Sequence, residues 1–102
     1  MKIAVAAMDG TLDADVSQQF ARCPKFLLID SETLAFEAFD NPARDLPGGA
    51  GPAAAQELVN RGAEMAVAGQ FGPKAVQALE AAGMRYSEAT GTVREAVSGL
   101  AG

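Results

Sequence analysis

At 102 residues, with 49% apolar and 21% charged side chains, the chain has the size and balance of one folded domain, not of a disordered tail. Eight Lys and Arg against thirteen Asp and Glu leave a net charge of −5, which argues against a nucleic-acid binder held by phosphate contacts. One cysteine and no histidine exclude an internal disulfide, a CxxC metal site, the Ser-His-Asp and Cys-His triads and the HExxH zinc site.

Ile3–Met8 is the longest apolar run and falls far below the ~20 residues that cross a bilayer. No charged and apolar leader opens the chain, so the expected location is the cytoplasm, away from membranes.

Lys2–Met8, apolar from Ile3 onward, reads as a central strand covered on both faces. Asp9–Asp15 is polar, carries a Gly-Thr turn and reads as a loop. Phe26–Asp30 and Thr33–Phe39 read as two strands of a hairpin joined at Ser31-Glu32. A loop runs from Asn41-Pro42 to Gly51. The apolar period then changes from two to 3.6, giving a helix over Pro52–Arg61, a strand over Ala63–Ala68 and a helix over Pro73–Ala82. Met84–Ser87 reads as a short strand. Thr92–Leu100 reads as a last helix, with Val93, Ala96, Val97 and Leu100 on one face.

A repeat with a period of 21 residues aligns Gly51-Pro52, Ala54, Gln56, Leu58 and Gly62 with Gly72-Pro73, Ala75, Gln77, Leu79 and Gly83. Each copy carries proline near the helix start and glycine just past its end. Alternating strands and helices call for parallel pairing in the second half, and the hairpin calls for one antiparallel strand. The expected architecture is therefore α/β and ribonuclease-H-like. It is a five-stranded mixed sheet in the order 3-2-1-4-5, with strand 2 antiparallel and helices flanking it, one domain over residues 1–102.

Asp9-Gly10-Thr11-Leu12 is similar to part of the DxDGT[LV] motif of haloacid-dehalogenase-type hydrolases, but Ala7 stands where that motif has its nucleophile. Asp9 and Glu57 alone supply too few carboxylates for a two-metal nuclease. Asp9 and Gly10 read better as turn formers.

The stronger signal is the convergence of glycine-rich loops on helix starts. Gly48-Gly49-Ala50-Gly51-Pro52 and Gly69-Gln70-Phe71-Gly72-Pro73 lie where backbone N–H groups and the positive dipole end favour an anion, and Gly91-Thr92 offers a third such start. Neither loop is a GxxxxGK[ST] or GxGxxG motif, so a nucleotide is not indicated. In an open α/β sheet these loops gather at the carboxyl edge of the strands, where the order reverses. The cations expected near that edge are Arg22, Lys25, Arg44 and Lys74. Cys23, between Arg22 and Lys25, would favour its thiolate there if exposed, and otherwise serves as a small buried apolar residue.

The chain resembles the dinitrogenase iron–molybdenum cofactor biosynthesis family, the NifX type that also occurs at the C-terminus of NifB and in orange proteins. The resemblance covers nearly the whole chain, through Met1–Ala6, Val16–Phe26 (V-S-Q-Q-F-A-R-C-P-K-F), Asn41-Pro42, Gly49–Pro52, Ala68–Ala75 and Gly91–Val93. It implies a ribonuclease-H-like fold and a non-enzymatic carrier or scaffold for an anionic metal–sulfur cluster, either Mo-Fe-S or Mo-Cu-S. Metal-cluster assembly proteins are the implied partners, and the chain is expected to be a monomer or a weak homo-oligomer.

The cluster-binding residues expected on this basis are Ser17, Gln19, Arg22, Cys23, Gly49, Gly51, Gly69, Gln70, Gly72 and Lys74, with Cys23 as the direct metal ligand. The family pattern Ser-x-His-Phe-Gly-Arg-Ala-Pro departs here, with Gln19 for the histidine and Ala21 for the glycine. A histidine usual in the glycine loop before the first long helix is also missing. Imidazole ligation is therefore excluded. Either the helix starts, Arg22 and Cys23 carry the cluster, or the member keeps the scaffold as a cofactor-free interaction or regulatory module.

Overall fold

The structure, a computed structural model, describes residues 1–101; Gly102, the end of the expected domain, lies outside the described residues. Its elements are β1 (Lys2–Ala7), β2 (Lys25–Asp30), β3 (Phe36–Asp40), α1 (Ala50–Asn60), β4 (Met65–Ala68), α2 (Pro73–Ala81), β5 (Arg85–Glu88) and α3 (Val93–Ala101). The sheet order is β3-β2-β1-β4-β5. β2 runs antiparallel to both neighbours, and β1, β4 and β5 run parallel. The fold is the one the periodicity predicts.

The period-two alternation of β1 divides the core. Ala4 and Ala6 share one buried cluster with Ala54, Leu58, Ala75 and Leu79 of α1 and α2, while Ile3, Val5 and Ala7 share the other with Val93, Ala96 and Val97 of α3. The small alanines on the first face leave room for aromatic rings. Phe39, Phe26, Phe20, Phe71 and Tyr86 form a row across the sheet with centroid separations of 5.0–5.8 Å. Arg61 closes one end of the row, its guanidinium carbon 3.6 Å from the Phe39 centroid.

The 21-residue repeat is a structural repeat at the helix ends. Gly62 N–H donates to Val59 O and Ala63 N–H to Leu58 O; Gly83 N–H donates to Glu80 O and Met84 N–H to Leu79 O. Both are Schellman closures, and the glycines supply the required φ of +81° and +72°. At the starts the two copies differ. α2 begins at Pro73, but α1 begins at Ala50, two residues before Pro52.

The hairpin also differs from the two-residue connection expected. The Asp30 carboxylate accepts from Glu32 N–H (2.9 Å) and Thr33 N–H (3.4 Å), and Leu34 adopts φ +63°. Asp30 N–H then pairs with Ala35 O at 2.9 Å, so Thr33–Ala35 belongs to the connection and β3 starts at Phe36. Among the described residues, no helix is long and apolar enough to cross a membrane.

Candidate functional site

The segment after β1 builds the site. Met8 N–H donates to Asp15 O, and Ser17 N–H donates back to Ala6 O at 2.8 Å, so the loop returns across the carboxyl end of β1. From there it crosses β4: Gly69 N–H donates to Ser17 O (2.8 Å) and Phe20 N–H to Gln70 O (3.2 Å). A Cβ at Gly69 would stand 2.7 Å from Gln18 Cα, so only glycine lets the two backbones approach this closely. Phe20, buried in the aromatic row, anchors the crossing and leaves Gln18, Gln19 and Arg22 exposed. Gly69 and Gln70 thus seat the strap through their backbones.

Above the strap lies a cleft of about 590 Å³, a volume typical of small-ligand sites. Its wall includes Ser17, Gln18, Gln19, Arg22 and Arg44, together with Met8, Asp15, Thr90 and Gly91. The Arg22 Nη1 donates to Arg44 O (2.9 Å) and Leu46 O (2.6 Å), which ties the two cationic loops together. Its Nε and Nη2 make no hydrogen bond among the described residues. Ser17 is buried, its hydroxyl turned to the Gln19 backbone at 3.1 Å.

Arg22 also borders a second concavity of about 360 Å³, formed with Ala50, Gly51, Gly72 and Lys74 at the starts of α1 and α2. A Cβ at Gly51 would approach the Cβ and backbone N of Ala75 to 3.1 Å, so glycine allows the two helix starts to meet. Neither start has a side-chain cap: Gly49 precedes α1 with φ +71° and Gly72 precedes α2. Their dipole ends face the same hollow as the Arg22 and Lys74 side chains.

Three expectations need correction. Cys23 is fully buried, and burial pushes its thiol up to about 12 despite a hydrogen bond from Asn41. The exposure on which its thiolate depended is absent: the sulfur belongs to the buried cluster under α1 and α2 and lines neither hollow, so the metal-ligand role expected of it lacks access. Lys25 is paired with Asp40 at 2.6 Å and holds that carboxyl below its usual range. The third helix start is already taken: Thr92 N–H and hydroxyl donate to the Glu95 carboxylate, and Glu95 N–H donates to Thr92 Oγ1. Val93 and Arg94 N–H reach Ala14 O and Leu12 O, so α3 offers an incoming anion no donors there.

Ser17, Gln19 and Arg22 therefore meet at the cleft, and Gly51, Gly72 and Lys74 join Arg22 at the second hollow. Arg44, one of the cations expected near this edge, and Gln18 complete the cleft, although neither was among the expected cluster-binding residues. The buried Asn41 behind them also lay outside that set, because burial of a polar side chain leaves no periodic signal. Asp9 takes the turn role, accepting Gly10 N–H at 2.7 Å. Glu57 is engaged by Arg61 at 3.0 Å. Among the described residues no three His, Cys, Asp or Glu side chains come together as a metal site.

A family model described as dinitrogenase iron-molybdenum cofactor matches residues 1–101. The chain belongs to this family. Its fold superposes on the apo form of the orange protein from Desulfovibrio gigas with a TM-score of 0.92 at 41% identity, over 97% of this chain and 85% of that one. It is also similar to a Thermotoga protein named for NifB, with a TM-score of 0.82 at 33% identity over 97% of this chain and 85% of that one. A Methanocaldococcus jannaschii protein named for dinitrogenase shares the fold, with a TM-score of 0.70 at 18% identity over 99% and 88% of the two chains. No curated protein sequence matches. Membership of the family places the chain in iron–molybdenum cofactor biosynthesis or cluster binding.

Proposed function

We propose that the chain is a non-enzymatic carrier for an anionic metal–sulfur cluster, which it holds as cargo for assembly proteins. The observation that carries this reading is the pair of adjoining hollows served by one residue, Arg22. One hollow has Arg44 and the amide side chains of the strap; the other has Lys74 and two uncapped helix starts. Such a site recognises negative charge through N–H donors and fixed cations, and it asks nothing of a covalent ligand. A sulfide-capped cluster, with acceptors over its whole surface, suits this chemistry. Membership of a family described by the iron-molybdenum cofactor supports a molybdenum- or iron-containing cargo.

The arrangement also predicts how binding responds to pH. The chain has no imidazole and the Cys23 thiol stays protonated up to about 12, so affinity is expected to be flat between about pH 6 and 9. Binding should instead fall steeply with salt, because fixed charges recognise the cargo.

The test is anaerobic incubation with tetrathiomolybdate, with and without copper, followed by gel filtration, metal analysis and a visible spectrum. Retained molybdenum with a charge-transfer band is the expected result. A chain that elutes free of metal in both cases would overturn the carrier reading and leave the cofactor-free interaction module as the better account.

A further inference from the structure

Among the described residues Asn41 and Ser17 are the two buried polar side chains, and both polar atoms of the Asn41 side chain are engaged. Its Nδ2 donates to Ala21 O (2.9 Å) and Cys23 O (3.1 Å), the carbonyls on either side of Arg22, and also lies 3.6 Å from Cys23 Sγ. Its Oδ1 accepts Ala43 N–H at 3.0 Å, one residue before Arg44. Its own N–H donates to Pro24 O at 3.3 Å. One side-chain amide therefore fixes the backbone on both sides of the first cation and immediately before the second.

Arg22 closes the same ring from outside through its bonds to Arg44 O and Leu46 O. The two loops leave the β2–β3 pair at Lys25 and Asp40, and beyond that register pair no helix or strand sets their geometry. Both arginines line the cleft. A serine at this position can reach at most part of this set, and an aspartate keeps the Ala43 acceptor but turns both Nδ2 donors into acceptors aimed at carbonyls.

We infer that Asn41 is the positioning residue of the cationic cleft: it sets the separation and aim of Arg22 and Arg44 toward an anion, without touching the anion itself. This inference rests on the carrier reading. Its consequence is specificity, because two guanidinium groups held apart by a rigid bridge discriminate among polyanions by size and shape, and two on a slack loop discriminate by charge alone.

The experiment compares wild type, Asn41→Ser, Asn41→Asp and a control, Val97→Ala, which loosens the α3 core on the far face of the sheet. Binding of tetrathiomolybdate is measured against salt, alongside sulfate as a competitor, with melting temperature and backbone NMR spectra as checks on folding. The expected result is a drop of at least tenfold in thiomolybdate affinity for both Asn41 variants and a smaller preference over sulfate. Val97→Ala, though destabilised, should bind as wild type. Wild-type binding by folded Asn41 variants would overturn the inference, as would losses no greater than those of Val97→Ala. Failure of both variants to fold would assign Asn41 to the scaffold and equally overturn it. A wild-type chain that binds no thiomolybdate would instead defeat the carrier reading beneath it.

Discussion

The start of α3 and the starts of α1 and α2 look alike in sequence, each a helix entered through glycine, yet they present opposite chemistry. At α3, Thr92 and Glu95 cap each other, and the Asp9–Asp15 loop carbonyls take the next two N–H groups. The chain's own carboxylate already occupies the position an anion would seek. At α1 and α2 no side chain caps the helix, the two starts touch through Gly51 and Ala75, and Arg22 and Lys74 border the hollow between them. A glycine-rich helix start is therefore only an opportunity. Whether it becomes an anion site depends on what the chain places in front of it.

The largest effect on this contrast is expected from Gly69→Ala. The added Cβ would lie 2.7 Å from Gln18 Cα, so the strap must move away from β4. Such overpacking costs ~1–3 kcal/mol, and displacement of Ser17, Gln19 and Arg22 should remove thiomolybdate binding. Denaturant unfolding and an anion titration of the same sample check both. Arg22→Ala comes next. It deletes the one side chain shared by both hollows and two hydrogen bonds to the Arg44–Leu46 loop. Affinity should fall at least tenfold with a shallower salt dependence, while stability falls by about 1 kcal/mol.

The smallest change separates the two kinds of helix start. Thr92→Ala removes the α3 cap and should cost about 1 kcal/mol of stability while leaving anion affinity as it was. An accompanying loss of affinity would show that α3 takes part in binding. Acid acts on the same cap. The Thr92 hydrogen bonds hold the Glu95 carboxyl below its usual range, and Asp30 and Asp40 are lowered by their turn N–H groups and by Lys25. Depressed carboxyls stabilise the fold above their unfolded pKa values, and that contribution is lost as pH falls through the lower folded ones. Melting temperature should therefore decline below about pH 4.5, with a milder decline in Glu95→Gln.

The sheet was legible because β1 is apolar from Ile3 to Ala7 while the later elements switch cleanly from period two to period 3.6. Both copies of the 21-residue repeat close identically, since Leu58 and Leu79 are buried and Gly62 and Gly83 take positive φ. Less legible was anything set by one side chain meeting backbone far along the chain. The Asp30 carboxylate rewrites the hairpin turn, Glu95 fills the α3 start, and Asn41 ties the segment around Arg22 to that before Arg44. Cys23 shows the same limit from the other side. Its basic sequence neighbours suggested a reactive thiolate, but Arg22 points outward and the sulfur inward, where desolvation dominates.

In the proposed carrier, an anion is held where Arg22 joins the cleft to the starts of α1 and α2. That placement is tested most directly by following backbone and arginine side-chain NMR signals during an anaerobic thiomolybdate titration of the wild-type chain. Saturable shifts are expected at Gln18, Gln19, Arg22, Arg44, Gly51 and Lys74, with the Thr92–Glu95 signals unmoved. Saturable shifts centred on the start of α3, or no saturable shifts at all, would contradict it.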